Sequence, residues 1–565
     1  MNRAAAVAAV LAAVSACSKS SGSTAPPVDT CTGATVTVAV NQVATVPAAS
    51  APCVSLPADG STYLVSPNMA SENGPSTPVG IEVGSAPPAA VDVVPQVAGD
   101  FVGMMPAMNA GPRGLREQFD YMLRSRERTF TPAMRRPPVA KAITKSPPYH
   151  IGDTATFHVL STLTGSTYKL DTALVSYIGN HIIIYLSIRA PAGGFAPSDI
   201  SALGTTFDTD LYGIDTLAFG APSDIDANGH VFVLLSPVVN SITPSAQCAT
   251  QGYIAGYFDG TDLVNLPNSN SSEVFYSIVP DPAGTVSCAH ATATVGSRML
   301  ATFIHEFQHM ISFNQHYLVR GGQQEVTWLN EGMSHIAEEL GSKFYEALCP
   351  GPRCLKTDPT QLFPDSSQGF IGGDLGNFYS YLQGTDTVSA TIFANGGSLT
   401  ERGAAWLFLR WLGDLKGEAI YRSIDQTVLV GVPNIEAQSG ETFPALFGDW
   451  SLALYADSLP GFARATAPTR DRYQSRNLRA LSYREFTIDP AFFPLPFPIQ
   501  TRTLPLSGKV SASMFVGTMM HYKITMPSSG SEMRLHFAAN GGGTLPTAYN
   551  AQISVLHCPS SAACQ

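Results

Sequence analysis

The chain has 565 residues, enough for three or four domains of ordinary size. Charged residues make up only 13% of it, about half the usual share, whereas 49 glycines and 42 prolines provide many turns. The 44% hydrophobic content excludes a wholly disordered chain, and the net charge of −11 argues against a nucleic-acid-binding protein. This composition favours an exported protein that is rich in β-structure.

The N-terminus predicts export. One arginine precedes an apolar run that is too short to span a bilayer, which is typical of a secretory signal. Val14-Ser15-Ala16-Cys17 resembles the lipobox of bacterial lipoproteins, which implies that Cys17 is lipidated and becomes the new N-terminus. We therefore predict a lipoprotein signal over residues 1–17, a flexible polar tether over 18–30 and a location in the bacterial cell envelope, at the outer membrane or cell surface. A signal that is simply cleaved would give a secreted protein instead.

The lipid is the only membrane contact that the sequence predicts, because no later segment offers the ~18 consecutive apolar residues of a membrane span. The eight cysteines beyond Cys17 fall into local pairs. Disulfides suit an exported chain, and the absence of CxxC pairs disfavours a zinc site made of cysteines alone. Eight cysteines allow 105 connectivities, so pairing of nearest neighbours is a hypothesis. The candidate pairs are Cys31/Cys53, Cys248/Cys288, Cys349/Cys354 and Cys558/Cys564.

Residues 31–95 alternate apolar and polar side chains between turn formers, which predicts a small β-domain. Residues 96–150 are predicted to be a basic linker or a pro-like segment, since nine basic residues lie between Arg113 and Lys145. A helix over Leu115–Arg128 fits this segment. A solvated connector, a propeptide boundary and a contact with an anionic envelope surface are the alternatives for its role.

In the rest of the chain the spacing of apolar residues changes twice, from strand-like to helical and back. Strand-like runs dominate residues 150–280, and helical spacing of apolar residues follows in Thr294–Tyr317, Trp328–Leu348 and Thr400–Leu415. Residues 461–565 return to short alternating runs, which predicts a C-terminal β-sandwich-like domain. The expected fold is therefore α+β and multidomain, with a β-rich part and a helical part between small all-β domains.

The first of these helices contains His305-Glu306-Phe307-Gln308-His309, an HExxH motif. Residues four apart lie on one face of a helix, so both imidazoles can bind one zinc ion. Glu306 is rotated away from the two histidines and can face water at the metal, as a general base does. The metzincin pattern is excluded, because it requires a glycine and a third histidine where this chain has Ser312 and Gln315.

The third ligand is predicted on the next helix. Glu331 follows His309 by 22 residues, and two antiparallel helices with a short connection can face one ion from both sides. Two neutral imidazoles and one carboxylate supply the three protein ligands of a catalytic zinc and leave a fourth position for water. The sequence therefore predicts one Zn²⁺ held by His305, His309 and Glu331.

HEFQH followed by Trp328-Leu-Asn-Glu-Gly332 resembles the gluzincin clan of zinc metallopeptidases. The fuller pattern, HEFQHMISFNQH and then WLNEGMSHIAEEL, is most similar to the hyicolysin-like neutral metallopeptidases. The resemblance implies a metallopeptidase domain over 151–460, Glu306 as catalytic base and a peptide or protein substrate. The clan commonly separates the last His from the Glu by about 19–20 positions, so the spacing of 22 implies a different connecting loop.

Supporting residues are predicted around this centre. Glu338 could accept a hydrogen bond from a ligand imidazole, with His335 and Glu339 as rival candidates, since metal-bound histidines are normally held in this way. Glu338 on a solvated helix face is the alternative interpretation. Relatives stabilise the oxyanion with a Tyr or His far downstream, for which Tyr379 and Tyr381 are candidates; either could instead be a core aromatic. The segment Glu273–Val279 could be an edge strand that receives an extended peptide, or a core strand.

The sequence also contains a candidate Ca²⁺ site. Asp224-Ile-Asp226-Ala-Asn228-Gly229 matches the first half of a calcium loop, but the twelfth position is Leu235, which excludes an EF-hand. A looser Ca²⁺ turn and an Asx-rich β-turn both remain as interpretations.

The sequence thus predicts a zinc endopeptidase on a lipid anchor. A zinc aminopeptidase of the same clan is one alternative. A non-catalytic surface-binding lipoprotein is another, in which His335 or Glu338 would complete a structural metal site. No nucleic acid and no obligate protein partner are expected.

Overall fold

The computed structural model describes residues 35–50, 53–85, 114–135, 148–348, 369–393, 396–459, 461–462, 469–558 and 564. The predicted signal, Cys17 and the tether lie outside these residues. So do Cys31, Cys349 and Cys354, and their pairings stay predictions.

Strands and helices alternate in blocks along the described chain. The strands are β1 (Val36–Thr37), β2 (Val43–Pro47), β3 (Val54–Leu56), β4 (Thr62–Met69), β5 (Val79–Ser85), β6 (Thr154–Leu160), β7 (Tyr168–Ile178), β8 (Ile182–Ser187), β9 (Val231–Leu235), β10 (Gly256–Phe258), β11 (Val274–Ser277), β12 (Arg502–Thr503), β13 (Lys509–Met514), β14 (Tyr522–Thr525), β15 (Met533–Ala539) and β16 (Ala551–His557). The α-helices are α1 (Leu115–Glu127), α2 (Pro197–Thr206), α3 (Tyr212–Ala218), α4 (Pro237–Ile242), α5 (Ser245–Gln251), α6 (Thr292–Phe313), α7 (Thr327–Leu348), α8 (Gly372–Gln383), α9 (Leu399–Lys416), α10 (Ala419–Asp425), α11 (Gly431–Ser439), α12 (Phe443–Ala456) and α13 (Leu478–Ile488).

The two ends of the described chain build one β-sandwich together. One sheet has the order β1-β3-β15-β5-β13 and the other β12-β14-β4-β16-β2, so each mixes strands from both ends. Their apolar side chains, such as Val65, Val83, Leu535 and Val555, form a single core. The prediction of two separate β-domains over 31–95 and 461–565 therefore differs from the structure. Alternation of apolar residues identifies a strand but not the distant strand with which it pairs.

The second β-element is a mixed sheet with the order β10-β11-β9-β8-β7-β6. In its centre β8, β9 and β11 run parallel. The sequence of β9, Val-Phe-Val-Leu-Leu, is buried at every position, as expected for a parallel strand covered on both faces. β10 forms one edge of the sheet and pairs antiparallel with β11.

Helices α6, α7, α8 and α9 pack side by side next to this sheet, and α6 contacts β10 and β11. The predicted helices match α6, α7 and α9 closely; the first of them ends in a π-helical turn over Asn314–Val319. The capping box expected before α9 is confirmed. Ser398 accepts from the Glu401 backbone N–H at 3.3 Å, and the Glu401 carboxylate accepts from the Ser398 N–H at 2.8 Å.

Residues 96–150 and 461–565 differ from the structure predicted for them. Within 96–150, α1 buries Phe119 and Leu123 in the main core, so it is more than a solvated connector. Within 461–565, α13 precedes the strands that complete the sandwich.

Two of the candidate disulfides are formed, Cys248–Cys288 and Cys558–Cys564, with Cα–Cα distances of 5.7 and 6.1 Å. Cys53 differs from these four cysteines, because its candidate partner Cys31 lies outside the described residues. Cys53 itself is fully buried directly before β3, and its sulfur is disulfide-bonded. A disulfide at Cys53 is therefore present, whereas its pairing with Cys31 stays a prediction.

Among the helices of the described residues, none combines the length and apolar character that crossing a membrane requires.

Candidate metal centre

The HExxH residues lie in the buried second half of α6. His305, Glu306 and His309 expose 1%, 4% and 3% of their surface. The Nε2 atoms of the two histidines are 3.2 Å apart, so both imidazoles direct Nε2 toward the same position. This is the arrangement that four-residue spacing on a helix produces.

Glu331 on α7 lies opposite the histidine pair. Its Oε2 is 3.8 Å from Nε2 of His305, and its Oε1 is 3.8 Å from Nε2 of His309. Glu331 is fully buried, and no described residue donates a hydrogen bond of good geometry to either oxygen. The ligand atoms of the three residues all lie within 4.8 Å of one another. The three side chains that the sequence singles out as zinc ligands are thus brought together.

Close helix packing holds α7 in this position. A Cβ atom at Gly332, the residue after Glu331, would lie 2.7 Å from a methyl carbon of Leu409 on α9. One at Gly403 would lie 2.3 Å from the carbonyl oxygen of Asn377 on α8. Both distances are shorter than real Cβ contacts. The two glycines therefore let three helices approach closely behind Glu331.

A polar network supports His305. Its Nδ1 is 2.7 Å from Oε1 of Glu338, which leaves Nε2 free to face Glu331. His335 is 3.1 Å from the same Glu338 oxygen and 2.8 Å from Oδ1 of Asp374 on α8. Burial would lower the pKa of His335, but the two carboxylates outweigh it and raise the pKa to about 9. His335 is therefore a cation at neutral pH, and it holds the pKa of Glu338 below its usual range despite burial.

Arg402 on α9 forms an ion pair with Glu331. Its Nη1 is 2.7 Å from Oε2 of Glu331, and its Nη2 is 3.0 Å from Oδ2 of Asp120 on α1. Arg402 exposes 1% of its surface. Burial would raise the pKa of Glu331, but the guanidinium outweighs it and keeps that pKa below its usual value. The carboxylate is thus ionised, as a metal ligand must be.

Glu306 faces the edge strand of the mixed sheet. Its Oε2 accepts a hydrogen bond from the backbone N–H of Phe258 on β10 at 2.8 Å. Burial, together with the nearby Asp120 carboxylate, raises the pKa of Glu306 to about 8. A cation bound at the neighbouring histidines would lower this pKa and favour the ionised carboxylate that a general base needs. Of the two interpretations of Glu273–Val279, an edge strand or a core strand, the structure shows the core strand, because β11 lies inside the sheet between β10 and β9.

Tyr379 and Tyr381 on α8 are both buried. The Tyr379 hydroxyl donates to the carbonyl of Leu495 at 2.8 Å and accepts from its N–H at 2.7 Å. The ring of Tyr381 stacks on Trp450 with centroids 6.0 Å apart. The structure gives neither hydroxyl a contact with the histidine pair, and their role at an oxyanion stays a prediction.

The candidate calcium turn gathers different residues from those the motif suggests. Asp224, Asp226 and the buried Glu273 bring one carboxylate oxygen each within 4.8 Å of one another. Asn228 is occupied locally, since its Nδ2 donates to Asp226 at 2.7 Å and its Oδ1 accepts from the His230 N–H at 2.6 Å. Glu273 comes from the sheet, so a local motif could not have indicated it.

No protein-family model matches the sequence. A stretch of 139 residues, 24% of this chain, is 30% identical to the neutral metalloprotease ShpI of Staphylococcus hyicus. The chain is similar, over part of its length, to a metal-dependent protease. The match spans 30% of that relative, so most of either protein lies outside it.

Sequence reasoning missed Arg402, Asp120 and Asp374. Each comes from a helix far along the chain from the HExxH motif, and none belongs to a local pattern. The one available signal was charge inside apolar helices, because Arg402 precedes the run Gly403–Leu412. A charged residue that packs into such a helix normally has a buried partner of opposite charge.

Proposed function

We propose that the chain is a zinc-dependent peptidase, in which His305, His309 and Glu331 hold one Zn²⁺ and Glu306 acts as general base. The observation that carries the proposal is the convergence of two imidazole Nε2 atoms and one ionised carboxylate in a buried place beside Glu306. The partial similarity to a neutral metalloprotease supports the same reaction class.

The donor set fits a zinc ion. The Nε2 atoms of His305 and His309 lie 3.2 Å apart. Oε2 of the buried Glu331 pairs with Arg402, whereas Oε1 has no hydrogen-bond donor among the described residues and lies 3.8 Å from Nε2 of His309. A buried acceptor without a partner is costly, and a cation at this position would satisfy it. Two neutral imidazoles and a carboxylate are ligands that catalytic zinc uses. Burial lowers the pKa values of both histidines, which favours the neutral, metal-binding form.

A bound zinc ion would polarise the scissile carbonyl and increase the acidity of a water molecule. The chain's own part of the reaction is proton movement and orientation. An Oε atom of Glu306 takes the proton of the attacking water and delivers it to the amine that leaves. Glu338 keeps the proton of His305 on Nδ1, so that Nε2 presents its lone pair to the ion. Burial of all four side chains keeps bulk water from competing.

A structural metal site is the alternative from another class, and two observations disfavour it. It needs a fourth protein ligand, but Glu338 is engaged with His305, and His335 is a cation beside Asp374. A structural site also has no use for Glu306 at its edge. His305, His335 and Glu338 form a second group that could hold a metal, although the positive charge of His335 opposes one there.

Endopeptidase specificity is part of the proposal, since the chain displays no recognisable carboxylate motif for a substrate's free amine. Amino-blocked and free peptides of one sequence distinguish this from the aminopeptidase alternative. We also propose attachment to the cell envelope through Cys17, which rests on the lipobox alone. A Ca²⁺ ion at the turn of Asp224, Asp226 and Asn228 stays a prediction, and we propose Asp224, Asp226 and Glu273 as its carboxylate ligands.

The decisive experiment compares wild type with Glu306→Gln in casein hydrolysis, with zinc content measured on the same samples. Glu485→Gln is the matched control, because Glu485 is equally buried but lies on α13. We expect Glu306→Gln to keep one zinc ion and to lose activity by at least 100-fold, whereas the control stays active. Wild-type activity in a zinc-loaded Glu306→Gln variant would refute the mechanism.

A further inference from the structure

The side chains of the candidate centre are buried in the described structure. The three ligand residues and Glu306 expose between 0% and 4% of their surface. A peptide must bring its scissile carbonyl next to these groups, and its backbone needs hydrogen-bond partners on both sides. Some element near the site must therefore move before a polypeptide can bind.

The edge strand β10 is the nearest backbone that could receive an extended peptide, and it is already occupied at Phe258. Its N–H donates to Glu306 at 2.8 Å, and its C=O accepts from Nη2 of Arg124 on α1 at 2.7 Å. Two residues further, the N–H of Gly260 donates to Glu127 on α1 at 2.9 Å. Peptides add to a sheet through such outward-facing groups, so α1 takes bonds that a bound strand would need.

Further contacts fix α1 along this edge. Arg126 pairs with Asp259 at 2.6 Å, and the ring of Phe119 packs edge-on against Tyr257 at 5.2 Å. Asp120 pairs with Arg402, the arginine that also contacts Glu331. The helix thus contacts the edge strand at successive residues and connects by one ion pair to the metal ligand.

The interface of α1 is partly polar and incompletely satisfied, which favours release. Beside the apolar Leu115, Phe119 and Leu123, its buried residues are Glu117, Asp120, Arg124 and Glu127. Within the described residues, Nε and Nη1 of Arg124 and Oε2 of Glu127 have no hydrogen-bond partner. Buried charges without full hydrogen bonding contribute little net stability, because desolvation offsets their attraction. Water can solvate these groups once the helix leaves.

We propose that α1 is an autoinhibitory element that occupies the substrate-binding edge of β10 and must be displaced before a polypeptide is cleaved. This inference rests on the proposed peptidase function and concerns the regulation of the same site. Loosening a helix that supports an active site normally lowers the activity. Loosening α1 raises the activity, because α1 blocks the site.

Two variants loosen α1 without touching the metal ligands or Glu306. Phe119→Ala removes the ring against Tyr257, and Arg126→Ala removes the ion pair with Asp259. Arg126 is partly exposed, so its variant folds even where Phe119→Ala does not. Phe157→Ala is the matched control, since this buried ring packs on Tyr185 within the mixed sheet.

The measurement is kcat/KM on an internally quenched peptide, with zinc content determined for each full-length protein. We expect Phe119→Ala and Arg126→Ala to raise kcat/KM at least threefold, whereas Phe157→Ala leaves it unchanged or lower. If both variants bind one zinc per chain and their kcat/KM is equal to or lower than that of wild type, the inference is overturned. The proposed function still stands in that case, provided that the wild type binds zinc and cleaves the peptide. If no protein binds zinc or cleaves the peptide, the proposed function itself fails, and the inference fails with it.

Discussion

Oε1 of Glu338 lies 2.7 Å from Nδ1 of His305, although the two residues belong to different helices and are 33 positions apart. The carboxylate fixes the imidazole proton on Nδ1 and so directs the lone pair of Nε2 toward Glu331. Such an interaction typically contributes 10–100-fold to metal affinity.

Glu338→Ala should therefore weaken zinc binding by about 10–100-fold, and Glu338→Gln by less, because the amide oxygen still accepts from Nδ1. Competition with a chromophoric chelator measures both affinities. Unchanged affinity in Glu338→Ala would mean that the hydrogen bond does not orient the ligand.

Arg402 is the second target, because its guanidinium is shared between Glu331 and Asp120. Arg402→Met leaves two buried carboxylates without this partner, which costs about 3–5 kcal/mol in the metal-free protein. Zinc still neutralises Glu331, so we expect a smaller loss in the zinc-loaded form. Thermal unfolding with and without chelator gives both values, and equal losses in the two forms would contradict the interpretation.

The two disulfides Cys248–Cys288 and Cys558–Cys564 close loops of different length, so their contributions to stability can be compared. Cys248–Cys288 closes a separation of 40 residues and Cys558–Cys564 one of 6. Loop-closure entropy predicts that removing the first costs about 4 kcal/mol and removing the second about 2 kcal/mol. Denaturant unfolding of the two double-alanine variants tests this order, and the smaller loop contributing more would contradict the entropic account.

His521 predicts a pH dependence of stability. Its ring is buried and 2.7 Å from the carbonyl of Ser451, and burial lowers its pKa to about 4. Between pH 6.5 and 4 the unfolded state binds a proton that the folded state does not. The free energy of unfolding therefore falls as pH drops through this window, by up to about 3 kcal/mol from this group.

His521→Gln removes that titration, so its stability should decline less between pH 6.5 and 4 than that of wild type. Urea midpoints at a series of pH values measure the difference. Parallel pH profiles would show that His521 is not the group responsible.

The sequence was sufficient for those parts of the site that short-range spacing determines. His305, Glu306 and His309 lie within five residues of one helix, so periodicity placed them together, and Glu331 followed from the expectation that the next helix runs antiparallel. Arg402 and Asp120 come from α9 and α1, and only tertiary packing brings them to Glu331. The same holds for the sandwich, where β5 pairs with β13 and β15 across more than 400 residues. Long-range pairing leaves no local signal in one sequence.

The most direct measurement for the central claim is X-ray absorption at the zinc edge on the zinc-loaded full-length protein. The account predicts one zinc per chain with two imidazole nitrogens and oxygen ligands, and loss of the bound ion in Glu331→Ala. A sulfur ligand, a third imidazole, or an unchanged spectrum in Glu331→Ala would contradict it.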